Sequence, residues 1–472
     1  MTHRPPRRRP HPPSRRRPRR DPVRLLAYEA LRAVHERDAY ANLVLPALLD
    51  RARADGALDA RDAALATELV YGTLRRQGGY DAVIAACVDR PLAKIDPPVL
   101  DVLRLGAHQL LGTRIPAHAA VSASVELARR VLDDGRARFV NAVLRRLSQH
   151  DWGSWLARLA PPVDADPEGH LALVHAHPRW VVSALGEALG GDREELARLL
   201  AADNARPEVT LAARPGRATT AELLAEPGAR PGRWSPYAVR LADGEPGALA
   251  AVREGRAGVQ DEGSQLVAVA LAEAPLQGRD TRWLDGCAGP GGKAALLAGL
   301  AARRGATLVA AERQPHRARL VARALAGTPG PYQVVTADTT RPAWAPGTFD
   351  RVLVDVPCTG LGALRRRPEA RWRRRPEDVT HLAPLQRDLL RQALAAVRVG
   401  GVVGYATCSP HPAETRAVVT DVLRRTPGVA EWIDARPLLP GVPDLGDGPD
   451  VQLWPHRHGT DAMYLALLRR TG

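Results

Sequence analysis

The stretch WLDGCAGPGGK at 283–293 decides the fold of this chain. A short apolar run leads into it and a helical pattern follows it, and its glycines let backbone amides approach a ligand closely at the carboxyl end of a sheet. It is not a P-loop, because Cys287 stands where that motif begins with glycine and Ala294 stands where it has Ser or Thr. It does not match GxGxxG either. The stretch predicts a strand, a glycine-rich turn and a helix; a tight connection without a ligand is the alternative.

Strand and helix patterns alternate from about residue 256 onward. Helical stretches lie between most of the candidate strands, and that alternation predicts a Rossmann-like α/β domain with a parallel sheet covered on both faces. The candidate strands are 282–285, 307–311, 333–336, 350–355 and 401–406.

Acidic residues follow the next two candidate strands. Glu312 ends VAAE about 20 residues after the glycine-rich turn, where an acid can bind the ribose hydroxyls of a nucleoside. Asp338, in TADTT, could accept a hydrogen bond from an adenine amino group. Each acid alone is more often a helix cap or a solvated turn residue. Ligand-type residues at three successive strand ends favour a nucleoside cofactor.

Two of the four cysteines also follow apolar strands. Cys358 lies in DVPCTG at 355–360 and Cys408 in ATCSP at 406–410. No two cysteines form a CxxC pair, so a zinc site or a dense disulfide framework is not indicated and free thiols fit best. A lone cysteine is by default a buried, inert residue. Two of them at one predicted ligand edge favour a chemical role.

The rest of the chain divides by composition. An apolar face that includes Val23, Ala27 and Val34 predicts an all-helical first domain without strands. Residues 151–165 have the composition of a linker, and 166–255 mix helical and turn-rich pieces into a small α+β region. The predicted domains are an Arg/Pro-rich disordered arm at 1–21, a helical domain at 22–150, a linker and small RNA-binding region at 151–255, and the α/β domain at 256–472.

The charge is strongly positive and unevenly distributed. The 472-residue chain has a formal net charge of +15, and residues 1–20 contain nine arginines and no acid. Such an excess indicates a polyanionic partner, usually nucleic acid; a solvated arm with no specific partner is the alternative. No apolar run approaches the roughly 18 residues of a membrane span, and no signal peptide is recognisable. We expect a cytoplasmic protein without membrane contact.

Three motifs together resemble one family. DGCAGPGGK, DVPCTG and ATCSP, in this order, look like the RsmB (Sun/Fmu) family of RNA (cytosine-5)-methyltransferases. HAAVSASVELAR at 118–129, followed by FVNAVLRRL at 139–147, resembles the NusB RNA-binding fold. The sequence departs from the usual family pattern at three positions: Gly289 stands where alanine is common, Thr359 where serine is usual and Thr415 where asparagine is common. None of these changes removes a group that the chemistry needs.

This resemblance implies a fold, a reaction and a set of roles. It implies a NusB-like helical domain and an S-adenosylmethionine-dependent methyltransferase domain that acts on 16S ribosomal RNA and yields S-adenosylhomocysteine, with no metal. Cys408 would be the nucleophile that attacks C6 of cytosine, Cys358 would release it, and Asp355 would contact N3 and the exocyclic amine. We expect a monomer with no protein partner. The implied cofactor-binding residues are Cys287, Ala288, Gly289, Pro290, Gly291, Gly292, Lys293, Glu312, Asp338 and Asp355.

An arginine-rich segment follows the Pro-Cys turn. Its arginines could hold RNA phosphates and its indole could stack on a base; a solvated helix face is the alternative. The predicted RNA-binding residues are Arg365, Arg366, Arg367, Arg371 and Trp372.

Three rival functions remain open at this point. A methyltransferase of exocyclic amines would usually carry Asn/Asp-Pro-Pro-aromatic where this chain has Asp355-Val356-Pro357-Cys358. A non-catalytic, antitermination-like RNA scaffold would predict a decayed catalytic half, yet every catalytic residue type is present. A cytosine-5 methyltransferase of transfer RNA would keep the chemistry and change the substrate.

Overall fold

The chain divides into two compact units in the computed structural model. The first unit ends at Leu159 and the second begins at Ala160. The structure describes residues 21–242 and 246–472. The predicted arm at 1–21 therefore lies outside the described residues, except for Asp21. Within the described ranges, no helix combines the length and the apolar character that crossing a membrane requires.

The first unit is helical throughout its described part. Asp21 caps the first helix, since its carboxylate accepts a hydrogen bond from the Arg24 amide at 3.1 Å, and Pro22 occupies the first helical position. The predicted apolar face is buried in the core. The helices are α1 (Pro22–Glu36), α2 (Ala41–Ala54), α3 (Ala60–Arg75), α4 (Gln77–Ala86), α5 (Pro97–Leu111), α6 (Ala117–Val131), α7 (Asp134–Leu147) and α8 (Trp152–Leu159).

The start of the predicted linker is a helix of the first unit. The indole of Trp155 is buried and donates from Nε1 to the Leu147 carbonyl at 3.0 Å. Trp152 packs edge-on against Tyr80, with ring centroids 5.7 Å apart. The linker prediction rested on Trp152, Gly153, Pro161 and Pro162. It did not consider that Trp152 and Trp155 are spaced to share one helix face. Helical structure thus continues beyond the predicted boundary at 150.

The second unit begins with helices and a small antiparallel sheet. Its strands run in the order β2-β3-β1-β4, and each pairs antiparallel with its neighbours. The elements are α9 (Pro167–Val174), α10 (Arg179–Ala188), α11 (Arg193–Asp203), β1 (Val209–Ala213), α12 (Thr220–Leu224), β2 (Ala229–Pro231), β3 (Ala238–Leu241), α13 (Ala250–Arg253) and β4 (Ala257–Val259).

A large sheet with helices between its strands forms the rest of the second unit. All five predicted strands lie within observed ones. The elements are α14 (Glu262–Glu273), β5 (Arg282–Asp285), α15 (Gly292–Arg303), β6 (Thr307–Glu312), α16 (Pro315–Leu325), β7 (Tyr332–Thr336), β8 (Phe349–Asp355), α17 (Ala370–Arg373), α18 (Pro376–Ala396), β9 (Val397–Thr407), α19 (Arg416–Arg425), β10 (Ala430–Ile433), β11 (Val451–Gln452), α20 (Pro455–His458) and β12 (Tyr464–Arg470).

This sheet is mixed, whereas the sequence predicted a parallel one. The order is β10-β12-β9-β8-β5-β6-β7, with β11 on β12. The five predicted strands are parallel, but β12 runs antiparallel to both β9 and β10. Mixed sheets are common among large α/β sheets, and here the antiparallel strand β12 lies between the edge strand β10 and β9. Its local pattern does not reveal its direction, because direction depends on which strand it pairs with.

The register of β8 and β9 brings two chemically important strand ends together. Asp355 is the parallel partner of Ala406, and the Val356 amide continues the ladder by donating to the Ala406 carbonyl at 3.0 Å. Residues shortly after these two strands therefore leave the sheet side by side.

Candidate active site

Side chains from five strand ends lie along one edge of the large sheet. Asp285, Glu312 and Asp355 are the last residues of β5, β6 and β8, while Asp338 and Cys408 follow β7 and β9. The carboxyl ends of parallel strands share an edge, and open α/β sheets bind ligands there. The structure therefore gathers the predicted candidates at one place.

The glycine-rich turn lies directly against the end of β6. The Ala288 amide donates to the Ala311 carbonyl at 2.9 Å. A Cβ atom at Gly289 would overlap the Glu312 carboxylate as it is placed here, so a larger residue would require the Glu312 side chain to move. Gly291 has φ of +116°, in the left-handed region that favours glycine, and α15 begins immediately after it. The turn thus brings its backbone close to the Glu312 carboxylate.

A buried carboxylate at the turn is only partly satisfied by the protein. Asp285 is 0% exposed, and its Oδ1 accepts the Cys287 amide at 3.3 Å. Among the described residues its Oδ2 has no hydrogen-bond partner. Burial, with Asp355 nearby, raises the pKa of Asp285 to about 7. S-adenosylmethionine carries an ammonium, ribose hydroxyls and an adenine amine, which all donate hydrogen bonds. The carboxylates of Asp285, Glu312 and Asp338 at this edge are acceptors that fit these groups. Sequence reasoning missed Asp285, although it ends a strand inside the quoted motif.

Backbone amides and neighbouring side chains hold the two predicted nucleoside acids in place. The Oδ1 atom of Asp338 accepts from the Thr340 hydroxyl at 2.7 Å and from its amide at 2.9 Å. These hydrogen bonds, the hydroxyl first, lower the pKa of Asp338. Glu312 accepts from the Gln314 amide at 2.8 Å, and the Arg317 guanidinium lies 3.7 Å from its carboxylate. Both acids are therefore oriented before any ligand binds.

Lys293 and Asp355 form an ion pair between the glycine-rich turn and the Pro-Cys turn. The Lys293 Nζ atom lies 2.8 Å from Asp355 Oδ2, and the two side chains are 12% and 29% exposed. Burial alone would lower the pKa of Lys293, but the Asp355 carboxylate outweighs it and the pKa is raised. The lysine is one of only two in the chain, and it stays cationic beside the reacting groups.

The two predicted cysteines are in contact. The Sγ atoms of Cys358 and Cys408 lie 3.5 Å apart, and both thiols are free. The hydrogen bond with Cys358 lowers the pKa of Cys408. Lys293 and Arg367 lower it further, whereas burial and Asp355 oppose this. The same hydrogen bond and burial raise the pKa of Cys358. Cys408 is therefore the thiol that more readily becomes a thiolate, which is the reactive form.

A buried glutamate joins the turns that carry these cysteines. Glu414 is 0% exposed, and its carboxylate accepts hydrogen bonds from the Thr359 amide at 2.8 Å and from the Thr359 hydroxyl. Gln386 donates to it at 3.1 Å, and the Thr359 hydroxyl also lies 3.2 Å from the Ser409 hydroxyl. The side chain at position 359 contributes only a hydroxyl to these contacts, and threonine and serine both supply one. The sequence offered one clue to Glu414, an acid six residues after Cys408.

Gly362 holds the segment after the Pro-Cys turn against Cys408. Its amide donates to the Cys408 carbonyl at 2.8 Å, and its own carbonyl accepts from the Ala462 amide at 2.9 Å. A Cβ atom at Gly362 would overlap the Ala462 carbonyl. The close approach of three backbone segments therefore requires glycine, and it fixes the backbone of Cys408.

Two of the predicted RNA-binding arginines are bound within the protein. Arg366 lies 2.5 Å from Asp261 and 3.0 Å from Asp461. Arg365 is buried, and it donates to the Gly459 carbonyl at 2.8 Å. A guanidinium group that is largely buried without a partner is costly, so both arginines are held by these acids and this carbonyl. The prediction of RNA contacts for Arg365 and Arg366 is corrected accordingly.

Arg371 departs from the prediction most clearly. Its side chain is 0% exposed, and it donates to Asn204 Oδ1 at 2.9 Å and to the Ala176 carbonyl at 3.2 Å. A buried guanidinium cannot reach RNA. Arg367 is exposed, and Trp372 is half-buried. These two residues remain candidates.

The fold and the site together define a class. A glycine-rich turn after the first parallel strand and acids after the next strands are typical of an S-adenosylmethionine-dependent methyltransferase domain. This chain adds a cysteine pair after the fourth and fifth of its parallel strands. Within the described ranges, no group of three or more His, Cys, Asp or Glu residues is arranged to hold a metal.

Comparison with known proteins specifies the family. Residues 272–469 match the family described as 16S rRNA methyltransferase RsmB/F, and residues 21–149 match the NusB family. Ribosomal RNA small subunit methyltransferase B of Pseudomonas putida is 36% identical over 417 residues, covering 86% of this chain and 90% of that one. MT1451 of Mycobacterium tuberculosis, which carries a methyltransferase name, is 58% identical over 462 residues, covering 97% and 99%. The chain belongs to the 16S rRNA methyltransferase RsmB/F family.

Solved structures share the fold. The crystal structure of PH0851 superposes with a TM-score of 0.77 at 21% identity, covering 96% of this chain and 99% of that one. NSun6 from Pyrococcus horikoshii, solved with SFG, gives a TM-score of 0.52 at 17% identity, covering 63% of this chain and all of that one. These comparisons confirm the predicted architecture of a NusB-like helical part and a methyltransferase domain.

Proposed function

We propose that this protein methylates C5 of a cytosine in 16S ribosomal RNA, with S-adenosylmethionine as methyl donor and a covalent bond between Cys408 and C6. The observation that carries the proposal is the contact between the Cys358 and Cys408 thiols at 3.5 Å. Carbon 5 of cytosine is too weak a nucleophile to take a methyl group unaided. Attack of a thiolate at C6 makes C5 carbanion-like, which is covalent catalysis.

Cys408 is the better nucleophile of the two. Its pKa is lowered, whereas that of Cys358 is raised. A fixed backbone supports the attack, since the Cys408 carbonyl is bound by the Gly362 amide. The target base must leave its stack to reach this thiolate.

Asp355 and Lys293 stabilise the base during the attack. When the C6–S bond forms, electron density moves into the ring and toward N3. We assign Asp355 to N3 and the exocyclic amine. Its carboxyl group shares with N3 the proton that neutralises the charge created by the attack, accepts a hydrogen bond from the amine, and takes the N3 proton back when the C6–S bond breaks. Lys293, at 2.8 Å, orients this carboxylate and adds a positive charge near the ring.

Asp285, Glu312 and Asp338, together with the backbone of 287–293, would hold the cofactor. When bound, S-adenosylmethionine supplies an electrophilic methyl group at C5. These acids bind and orient the donor through its ammonium, ribose and adenine groups, and the absence of a side chain at Gly289 gives it room.

Release of the product requires a second step at C5 and C6. The C5 proton leaves to a base, the C6–S bond breaks, and its electron pair returns to the Cys408 sulfur. We assign promotion of this elimination to Cys358, the thiol next to Cys408. Around the site, Arg367 and Trp372 are the residues we propose for RNA phosphate and base contacts.

The test is a methylation assay with the two cysteine variants. Ribosomal RNA that lacks this modification is incubated with labelled cofactor, and 5-methylcytosine is mapped. We expect Cys408→Ala to abolish methyl transfer, because no bond to C6 can form. Cys358→Ala should accumulate a covalent protein–RNA adduct that survives a denaturing gel.

The matched control is Cys87→Ala, a buried cysteine of the helical unit, which should retain activity. If the native protein transfers no methyl group to any RNA, the proposed activity is wrong. If the adduct persists in Cys408→Ala and depends on Cys358, the two roles are reversed. Transfer to transfer RNA alone would change the substrate and keep the chemistry.

A further inference from the structure

A groove with a volume of about 500 Å³ lies between α6 and α7 in the helical unit. Its volume is within the range of roughly 300–1,000 Å³ that is typical of sites for small ligands. From His118 to Arg129 it follows α6 for about 16 Å, at 1.5 Å per residue. The residues that line the groove are Ala117, His118, Val121, Ser122, Val125, Arg129, Asn141, Arg145 and Ser148.

The lining combines three kinds of surface. Val121 and Val125 are half-buried and buried, and give the groove an apolar floor. His118 and Ser122 are exposed and carry groups that donate and accept hydrogen bonds. Arg145 is exposed as well, and its Nε lies 3.3 Å from the uncharged Oδ1 of Asn141.

The second arginine is also available to an anion. The side chain of Arg129 is 57% exposed, and its Nε lies 3.9 Å from the carboxylate of Asp134, which is itself 85% exposed. A surface ion pair this long contributes little, so exchange for a phosphate is inexpensive. This contrasts with Arg136 on the same helix pair, which lies 2.8 Å from Asp96 and 2.9 Å from Asp133.

We propose that this groove binds an unpaired nucleotide of the RNA substrate, at a site separate from the cysteine pair. This proposal rests on the proposed function, because it takes the substrate of the protein to be RNA. Arg129 and Arg145 neutralise phosphates, the valine floor receives the flat face of the base, and Ser122, Asn141 and His118 bind its edge. Single-stranded and looped RNA is recognised in this way, through splayed bases and their hydrogen-bonding edges. An acidic peptide would use the arginines but leave the polar groups above the floor unused.

The test compares two double variants of the full chain that lose the same charge. Arg129→Gln/Arg145→Gln removes both groove cations, while Arg51→Gln/Arg61→Gln removes two exposed arginines of α2 and α3. Affinity for small-subunit ribosomal RNA is measured by filter binding across a salt series. We expect the groove variant to bind at least tenfold more weakly and to lower the slope of log affinity against log salt by about 1.4, for two single-strand contacts at roughly 0.7 each.

Kinetics and crosslinking distinguish a binding site from a structural effect. The groove variant should raise KM for RNA while kcat at saturating RNA stays within twofold, and the control should change neither. Photo-crosslinking of 4-thiouridine-labelled RNA should modify peptides from α6 or α7. Equal affinity and slope in the two double variants, or crosslinks confined to the second unit, would overturn the proposal. If the native chain methylates no RNA, it is the proposed function that fails.

Discussion

The arginines after the Pro-Cys turn and the arginines of the α6–α7 groove have opposite surroundings. Arg366 and Arg371 bind acids, an amide and carbonyls of their own unit, whereas Arg129 and Arg145 project from an exposed groove. The first set has the denser run of positive charge in the sequence. An arginine-rich run therefore does not by itself identify an RNA surface. Acids and carbonyls far away in the chain determine which arginines remain available.

Replacement of Arg371 should have the largest effect. We expect Arg371→Met to destabilise the second unit by about 3–5 kcal/mol, because it removes a buried guanidinium and leaves Asn204 Oδ1 and the Ala176 carbonyl without their donor. Urea unfolding measures the change. Arg374→Met is the control; Arg374 is 36% exposed and lies 3.9 Å from Asp378, so its loss should cost less than about 1 kcal/mol. A stable Arg371→Met protein with weakened RNA binding would contradict the structural role.

Replacement of Arg366 should have a smaller effect that depends on pH. Burial, with Asp261 nearby, raises the pKa of Asp461 to about 6, above the value near 4 of an unfolded chain. Ionisation of Asp461 therefore costs stability as pH rises from about 4 through 6, and Arg366 offsets this cost. We expect Arg366→Gln to lose about 2–3 kcal/mol at pH 8 and clearly less at pH 5, where Asp461 is protonated.

Unfolding free energies of the native protein and Arg366→Gln at the two pH values provide the measurement. Arg366 is 22% exposed, which is why its effect is expected below that of Arg371. An identical loss at pH 5 and pH 8 would mean that Arg366 does not compensate the Asp461 carboxylate.

Replacement of Arg367 should have the smallest effect, and it should appear in activity rather than stability. Its charge helps to lower the pKa of Cys408, after the hydrogen bond with Cys358 and the charge of Lys293. Loss of this charge should raise the pKa of the thiol, so Arg367→Gln should shift the acidic limb of kcat/KM upward by less than about one pH unit, since solvent screens an exposed charge. Arg367→Lys, which keeps the charge, should leave the limb in place. An acidic limb that does not move in Arg367→Gln would show that the charge of Arg367 does not influence the pKa of Cys408.

Much of the fold was predictable because the deciding patterns are local. The glycine-rich turn, the apolar runs of β5 to β9 and the acids and cysteines directly after them are read from neighbouring residues. The spacing of Trp152 and Trp155 is also a local pattern. The linker prediction was wrong at this point because it gave more weight to the helix-breaking glycine and prolines than to two indoles on one helix face. The antiparallel direction of β12 could not be read in this way, since it depends on pairing with β9 and β10.

Residue types and their strand-end positions could be obtained from the local sequence, but their chemistry depends on contacts across the fold. The order of the sheet places Cys358 and Cys408 within 3.5 Å although 50 residues separate them. The same order brings Glu414 to Thr359 and Asp261 to Arg366. Pattern and propensity act over a few residues, whereas desolvation and ion pairing depend on what the completed fold places nearby. That is why the cysteine pair was foreseen as a pair, while the lower pKa of Cys408 and the burial of Arg371 emerged only from the assembled unit.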